Sequence, residues 1–268
     1  MGGLLDDLYD LKPKYKLAFQ GAGALVAMVM GNISLGAISL PFGISIDTGL
    51  LSFLVSFVWI VGVTNAINLI DGIDGLASGL CIVALGMFGV TFALEGQWMY
   101  TLLAFICVGV IIPFFCYNVF GNVEKGHKIF MGDTGSLTLG FILSMMVMKY
   151  CMHTSGTEEA VDGAPLVTAF RILLVPCLDV CRVVLGRVRR KVNPFKPDRT
   201  HLHHKFLALG LNARRSMLCI QLMAVSFIVV TYVLINIGVN ANIVFVLNIV
   251  VWTLANMMFS KKIKNQKG

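Results

Sequence analysis

Asn65-Ala66-Ile67-Asn68-Leu69-Ile70-Asp71-Gly72-Ile73-Asp74-Gly75-Leu76-Ala77-Ser78-Gly79 sets two carboxylates and two carboxamides directly against long apolar runs. Acidic groups at the edge of hydrocarbon are costly and mark functional sites by default. Gly72 and Gly75 let the backbone turn between them. If the turn opens a helix, Asp71 and Asp74, three residues apart, share one face. Two oxygen donors on one face suit a hard cation or a phosphate-handling base. A polar loop between two spans, with an aspartate capping a helix, accounts for the same residues equally well, so the decision rests with the rest of the chain.

The 268 residues are 57% hydrophobic and 13% charged, with a mean hydropathy of +0.83. Soluble domains carry about 25% charged residues, so the composition is that of an integral membrane protein. The net charge of +7 does not imply nucleic acid, which needs a basic face on a soluble domain. Seven cysteines lie mostly in apolar runs with no Cys-x-x-Cys pair, and read as small buried hydrophobes rather than disulfides or zinc ligands. Met1 to Asp10 opens on an acidic cluster, without the basic and apolar regions of a cleavable signal.

A spanning helix needs roughly 20 apolar residues, and about eight stretches qualify. They are Leu17 to Gly36, Leu50 to Ile70, Leu76 to Leu94, Met99 to Phe120, Ser136 to Tyr150, Leu166 to Leu185, Ser216 to Ile237 and Ile243 to Phe259, the fifth being short enough to extend into its flanks. Cytoplasmic loops carry the excess of Lys and Arg. Lys12, Lys14 and Lys16 precede the first span, and Lys125 and Lys128 lie between the fourth and fifth. A dense group from Arg187 to Arg215 separates the sixth from the seventh, and Lys261 to Lys267 follow the last. Of the Lys and Arg residues, only Lys149 and Arg171 fall toward the other side. The expectation is an all-α fold: a single polytopic transmembrane helical bundle over residues 1–268, with both termini cytoplasmic.

That orientation places every polar cluster on one side, as a composite site at the inner membrane surface would require. Asp6 and Asp7 precede three lysines, a setting for a metal or for one free base beside an anion-attracting charge; an ordinary juxtamembrane segment reads the same way. Phe130-Met131-Gly132-Asp133-Thr134-Gly135-Ser136 opens the fifth span, where helix N-terminal amides favour phosphate and Asp133 suits either a bridging magnesium or a cap. His201, His203 and His204 occupy four positions of the most basic loop. No nearby Cys or Glu completes a zinc set, and histidines among arginines fit a diphosphate better. Asn118 ends the fourth span, where its amide could read a base or sugar or satisfy backbone groups. Asp179 and Arg182 are spaced for a structural i, i+3 pair.

Together, Leu4-Leu5-Asp6-Asp7, Asn65 to Gly75, Phe130 to Ser136 and Pro197 to His204 resemble, in order, the motifs of the polyprenyl-phosphate N-acetylhexosamine-1-phosphate transferases, glycosyltransferase family 4. The resemblance implies a cell (inner) membrane enzyme with its active site facing the cytoplasm. It would move a sugar 1-phosphate from a UDP-N-acetylhexosamine to a polyprenyl (undecaprenyl) phosphate, releasing UMP, in cell-wall or lipopolysaccharide synthesis. The implied cofactor is magnesium, with manganese as a substitute, held by Asp133. Asp6 or Asp7 would deprotonate or position the lipid phosphate, and Asp71 and Asp74 match the second catalytic acidic pair. Lys16, Asn68, Asn118, Arg187, His201, His203 and His204 are the implied substrate-binding residues. Leu202 interrupts the histidines, which resembles the branch using N-acetylglucosamine 1-phosphate rather than the peptidoglycan-precursor branch. A homodimer is compatible with the resemblance; nucleic acid is not an expected partner.

Family members usually carry about three more spans before the Asp-Asp motif, so the expectation is a chain incomplete for lipid binding and poorly active as it stands. Two other classes fit the sequence less well. An ion-coupled transporter would place its carboxylates near the midplane rather than at one edge. An intramembrane metalloprotease would carry His-Glu-x-x-His, which the sequence lacks.

Overall fold

A computed structural model describes residues 2–35, 38–40, 44–46, 49–154, 164–192 and 200–267. Among them are ten helices: α1 (Gly2–Tyr9), α2 (Pro13–Met30), α3 (Gly49–Ile70), α4 (Leu76–Leu94), α5 (Trp98–Phe120), α6 (Gly132–Thr154), α7 (Ala164–Arg189), α8 (Leu202–Ala208), α9 (Ala213–Asn236) and α10 (Ala241–Lys267). One short antiparallel hairpin, β1 (Ile38–Leu40) and β2 (Ile44–Ile46), pairs Ile38 with Ile46 and Leu40 with Ile44. The fold is the expected helical bundle, and the chain is a multi-pass membrane protein.

Six helices are long and apolar enough to cross a bilayer: α3, α4, α5, α6, α9 and α10. α2 and α7, at the first and sixth expected spans, fall outside that set. α7 is nevertheless deeply packed, with Val167, Ala169, Leu173, Leu174 and Val175 all buried. A helix enclosed by others can carry Arg171, Asp179 and Arg182 where a lipid-facing one could not. The fifth expected span does extend into its flanks, starting four residues before Ser136 and ending four after Tyr150. Pro113 and Pro176 sit inside α5 and α7, as membrane helices tolerate.

α4 and α6 are the most enclosed of the spans and α5 the least. The central joint is α3 against α6. A Cβ on Gly140 would lie 2.8 Å from the Thr64 carbonyl oxygen and 2.9 Å from its Cα, so only glycine lets these backbones approach so closely. One turn from that contact on each helix stand Asn68 and Ser136, and the Asn68 amide donates to Ser136 Oγ at 2.9 Å. The apolar interior then divides in two. One part fills the space between α2, α3, α4, α5, α6 and α7, with Phe88 and Phe92 at its centre. The other, built from Ile70, Leu76, Leu80, Leu174, Leu202, Phe206 and Ile220, lies under the Asp71 to Gly75 turn and under α8.

Candidate active site

The joints between elements bring three of the polar clusters into direct contact and set the fourth against them. α6 begins at Gly132, and its first amides need acceptors. Asp7, from α1, supplies them: the Asp133 amide donates to Oδ1 at 2.7 Å, and the Thr134 amide and hydroxyl donate to Oδ2 at 3.0 and 2.5 Å. Burial works against the Asp7 charge, but the Thr134 hydroxyl and the two amides hold its carboxyl below the usual carboxylate range. The N-terminus expected to attract a phosphate, or to be capped by Asp133, thus has two of its amides taken by Asp7.

Asp133 is freed to point elsewhere. Its Oδ1 accepts from the Asn68 amide, and its Oδ2 accepts from Lys16 Nζ at 3.0 Å. Lys16 bridges onward to Asp6, which is 4% exposed and also accepts from the Leu11 amide at 2.8 Å. Although burial opposes its charge, Lys16 is held above the ordinary lysine range by the Asp6 and Asp133 carboxylates.

The Asp71 to Gly75 turn is pinned from two sides. Asn118 accepts from the Gly75 amide at 2.6 Å and donates to the Ile129 carbonyl at 2.8 Å, so both halves of its amide serve backbone. Gln221 of α9 donates to the Gly75 carbonyl at 2.8 Å. Asp74 pairs with Lys128 at 2.6 Å. The Asp71 carboxylate, between them, has no hydrogen-bond or ion-pair partner among the described residues. Burial, and then the charges of Asp133 and Asp74, push its carboxyl up to about 6.

These residues line an open cleft of about 340 Å³, with Asp7, Asn68, Asp71, Asp74, Asn118 and Asp133 around it and Phe130 and Met131 at its side. The histidines close in from α8. A Cβ on Gly72 would lie 2.2 Å from His203 Nε2, so the turn and the ring are packed in direct contact. His203 is 3% exposed, its ring lies parallel to that of His201 at 6.1 Å, and His204 packs tilted against it at 4.1 Å. Burial, reinforced by His204 and His201, pushes His203 down to about 4, so it is neutral at physiological pH.

His201 is oriented by a residue read from the sequence only as half of an ion pair. Asp179 does pair with Arg182, at 2.7 Å, but its other oxygen meets His201 Nδ1 at 2.9 Å, and it accepts from the Leu202 amide at 3.1 Å. Arg182 also donates to the Thr200 carbonyl at 2.5 Å. Leu202 is fully buried and serves as the hydrophobic anchor of α8. Arg187 is 6% exposed near the end of α7 and does not line the cleft. The Pro194 to Arg199 part of the basic loop lies outside the described residues.

Four contributors were missed as site residues: Lys128, Ser136, Asp179 and Gln221. Lys128 stands two residues before Phe130, close enough for its charge to have been a signal. Gln221 gives none, being one polar residue in an apolar span.

The carboxylates are not evenly balanced. Asp6 and Asp133 share Lys16, Asp74 has Lys128 and Asp7 has the α6 amides, while Asp71 has no counter-charge among the described residues. No three His, Cys, Asp or Glu side chains among the described residues close on one point as a metal cage. Magnesium held by one or two carboxylates and completed by phosphate oxygens needs none, and Asp71 beside Asp133 fits that donor set.

Residues 1–151 match the family model described as glycosyl transferase family 4. A Bacillus subtilis (strain 168) protein named "Probable undecaprenyl-phosphate N-acetylglucosaminyl 1-phosphate transferase" is 33% identical over 258 residues, which are 95% of this chain and 69% of that protein. The undecaprenyl-phosphate alpha-N-acetylglucosaminyl 1-phosphate transferases of Escherichia coli (strain K12) and Yersinia pestis are each 30% identical over 223 residues, 83% of this chain and 59% of theirs. The chain thus spans 59% to 69% of the length of these relatives. The match covers the Asp6-Asp7, Asn65 to Gly75 and Phe130 to Ser136 motifs that the fold brings into one cleft, and on that ground the chain belongs to glycosyl transferase family 4.

Proposed function

We propose that this chain carries the catalytic cleft of a transferase that moves N-acetylglucosamine 1-phosphate from UDP-N-acetylglucosamine to undecaprenyl phosphate, releasing UMP. The observation that carries this reading is the unbalanced Asp71 carboxylate beside Asp133, in a cleft where Asp133 and Asp74 are paired with Lys16 and Lys128 and Gly72 packs on His203. The names of the similar proteins support the acceptor and the transferred N-acetylglucosamine 1-phosphate group. The site faces the cytoplasm of the cell membrane, because the loops carrying its clusters hold most of the Lys and Arg.

An oxygen of the lipid phosphate attacks the β-phosphorus of the donor. The bond from that phosphorus to the bridging oxygen breaks, and the oxygen leaves with UMP. Phosphoryl transfer of this kind depends mainly on placement and charge neutralisation. Asp133 and Asp71 would hold magnesium, which neutralises diphosphate charge when bound. Lys16 fixes Asp133, Lys128 fixes Asp74, and neutral, buried His203 supports the acidic turn at Gly72 without adding charge. Asp179 holds His201 in one orientation.

The test is magnesium-dependent UMP release from UDP-N-acetylglucosamine and undecaprenyl phosphate, using membranes that contain the chain and a form extended upstream. Asp133→Asn and Asp71→Asn are each expected to lower turnover by about 100-fold or more, the scale of losing charge stabilisation at a transferring group. Full turnover in Asp71→Asn would overturn its place at the cation.

A further inference from the structure

A second cleft, of about 680 Å³, opens between α7, α8 and α10 and shares no residue with the first. Its chemistry is graded along its length. Leu178 and Ile249 line one end, Trp252 follows, Arg182 and Met257 lie between, and Arg189 and Lys205 line the other. Leu178 to Arg189 on α7 and Ile249 to Ser260 on α10 are the same number of residues, about 16 Å of helix. Leu185 and Met257 are more than half exposed, so the cleft opens on the outer surface of the bundle.

Among the described residues, Arg189 and Lys205 have no ion-pair partner, while Arg182 is paired with Asp179. Lys205 Nζ donates only to neutral oxygens, Asn256 Oδ1 at 3.1 Å and Ser260 Oγ at 2.9 Å. Burial, with Arg182 adding to it, pushes this ammonium down to about 8. Arg182 shares Asp179 with His201, and its buried Nε has no partner among the described residues. Arg189 is exposed, with no ion pair. Trp252 is 3% exposed, and its indole N–H is a buried donor without an acceptor.

We propose that this cleft binds an anionic membrane glycerophospholipid, its phosphate held among Arg182, Arg189 and Lys205 and an acyl chain lying along Met257, Trp252, Leu178 and Ile249. A small soluble anion would use the basic end but not the apolar wall of Leu178, Ile249 and Trp252 that continues from it. The reacting acceptor is a different molecule, because its phosphate must reach the cleft around Asp133 and Asp71. The bound lipid would act on the transfer site through a short path: a phosphate on Arg182 fixes the residue that holds Asp179, which orients His201. Lipid binding rests on the second cleft alone, while its effect on the transfer site rests on the transferase reading.

Trp252 provides a reporter inside the cleft. In full-length chain carrying Trp59→Phe and Trp98→Phe, purified in a zwitterionic detergent, its fluorescence is titrated with dibrominated phosphatidylglycerol and with dibrominated phosphatidylcholine. Saturable quenching is expected, with the anionic lipid effective at a concentration at least about tenfold lower. Arg189→Gln and Lys205→Gln should each weaken the anionic lipid by about fivefold, the change expected of one Lys or Arg beside an anionic lipid. An unaltered Trp252 emission maximum without lipid shows that these variants are folded. Equal quenching by the two lipids overturns the proposal, as does unchanged phosphatidylglycerol affinity in both variants. Relief of quenching by inorganic phosphate would mark a soluble-anion site, and relief by equimolar undecaprenyl phosphate would give the cleft to the acceptor; either overturns it.

Discussion

At Gly72 a single hydrogen stands between the acidic turn and His203. Gly72→Ala places a methyl 2.2 Å from His203 Nε2. α8 is held by buried Leu202 and Phe206, so the ring cannot retreat freely. We expect a stability loss of about 1–3 kcal/mol, the range for overpacking, together with a raised KM for the nucleotide-sugar, read from thermal melting and initial rates. His203 gives a pH signature. Its folded value of about 4 lies below the ordinary 6.5, so between those values the unfolded chain binds the extra proton and stability rises with pH. Its contribution is complete above the unfolded value and is lost as pH falls toward 4, by up to ~3 kcal/mol. Melting temperature should fall as pH drops from 7 to 4.5, and His203→Gln should flatten that fall.

Among the elements, α1 is an eight-residue helix that could not persist alone. It is held because Asp7 caps α6 and Asp6 meets Lys16 at the start of α2. Asp7→Ala should cost about 0.5–2 kcal/mol, as loss of an N-terminal cap does. It should also lower turnover, because Asp133 is the second residue of α6 and its amide is one that Asp7 caps. Asp7→Asn retains an acceptor and should recover most of the stability but less of the turnover. Equal losses in both, measured by melting and UMP release, would show that the charge and not the cap is what matters. α8 shows the same dependence on context, since its seven residues are fixed by Leu202 below and Asp179 beside.

For the whole molecule, the testable quantity is orientation. The loop from Asn122 to His127 adjoins the cleft through Lys128 and Asp74. A single cysteine placed at Asn122, in a chain whose seven native cysteines are replaced by Ser or Ala, should react with a membrane-impermeant maleimide in inside-out vesicles. It should be protected in intact spheroplasts. The reverse pattern would turn the molecule over and place the site outside.

Hydropathy and charge placement alone determined the helical bundle, the ends of α4 and the gathering of the acidic and histidine clusters on one side. Each is a local property, set by apolar run length and by loop charge. The four motifs likewise marked Asp6, Asp7, Asp71, Asp74, Asp133 and the histidines. What the sequence could not assign was which of these carboxylates is already engaged. That depended on contacts between residues 126 positions apart, as for Asp7 and Asp133, or 22 apart, as for Asp179 and His201. The α3–α6 approach at Gly140 and the docking of Leu202 bring those groups together. Only the tertiary structure decided that Asp7 closes a helix, that Asp179 aims a histidine and that Asp71, among the described residues, is left without a counter-charge. A carboxylate's role follows from its partners, and partners are chosen by packing.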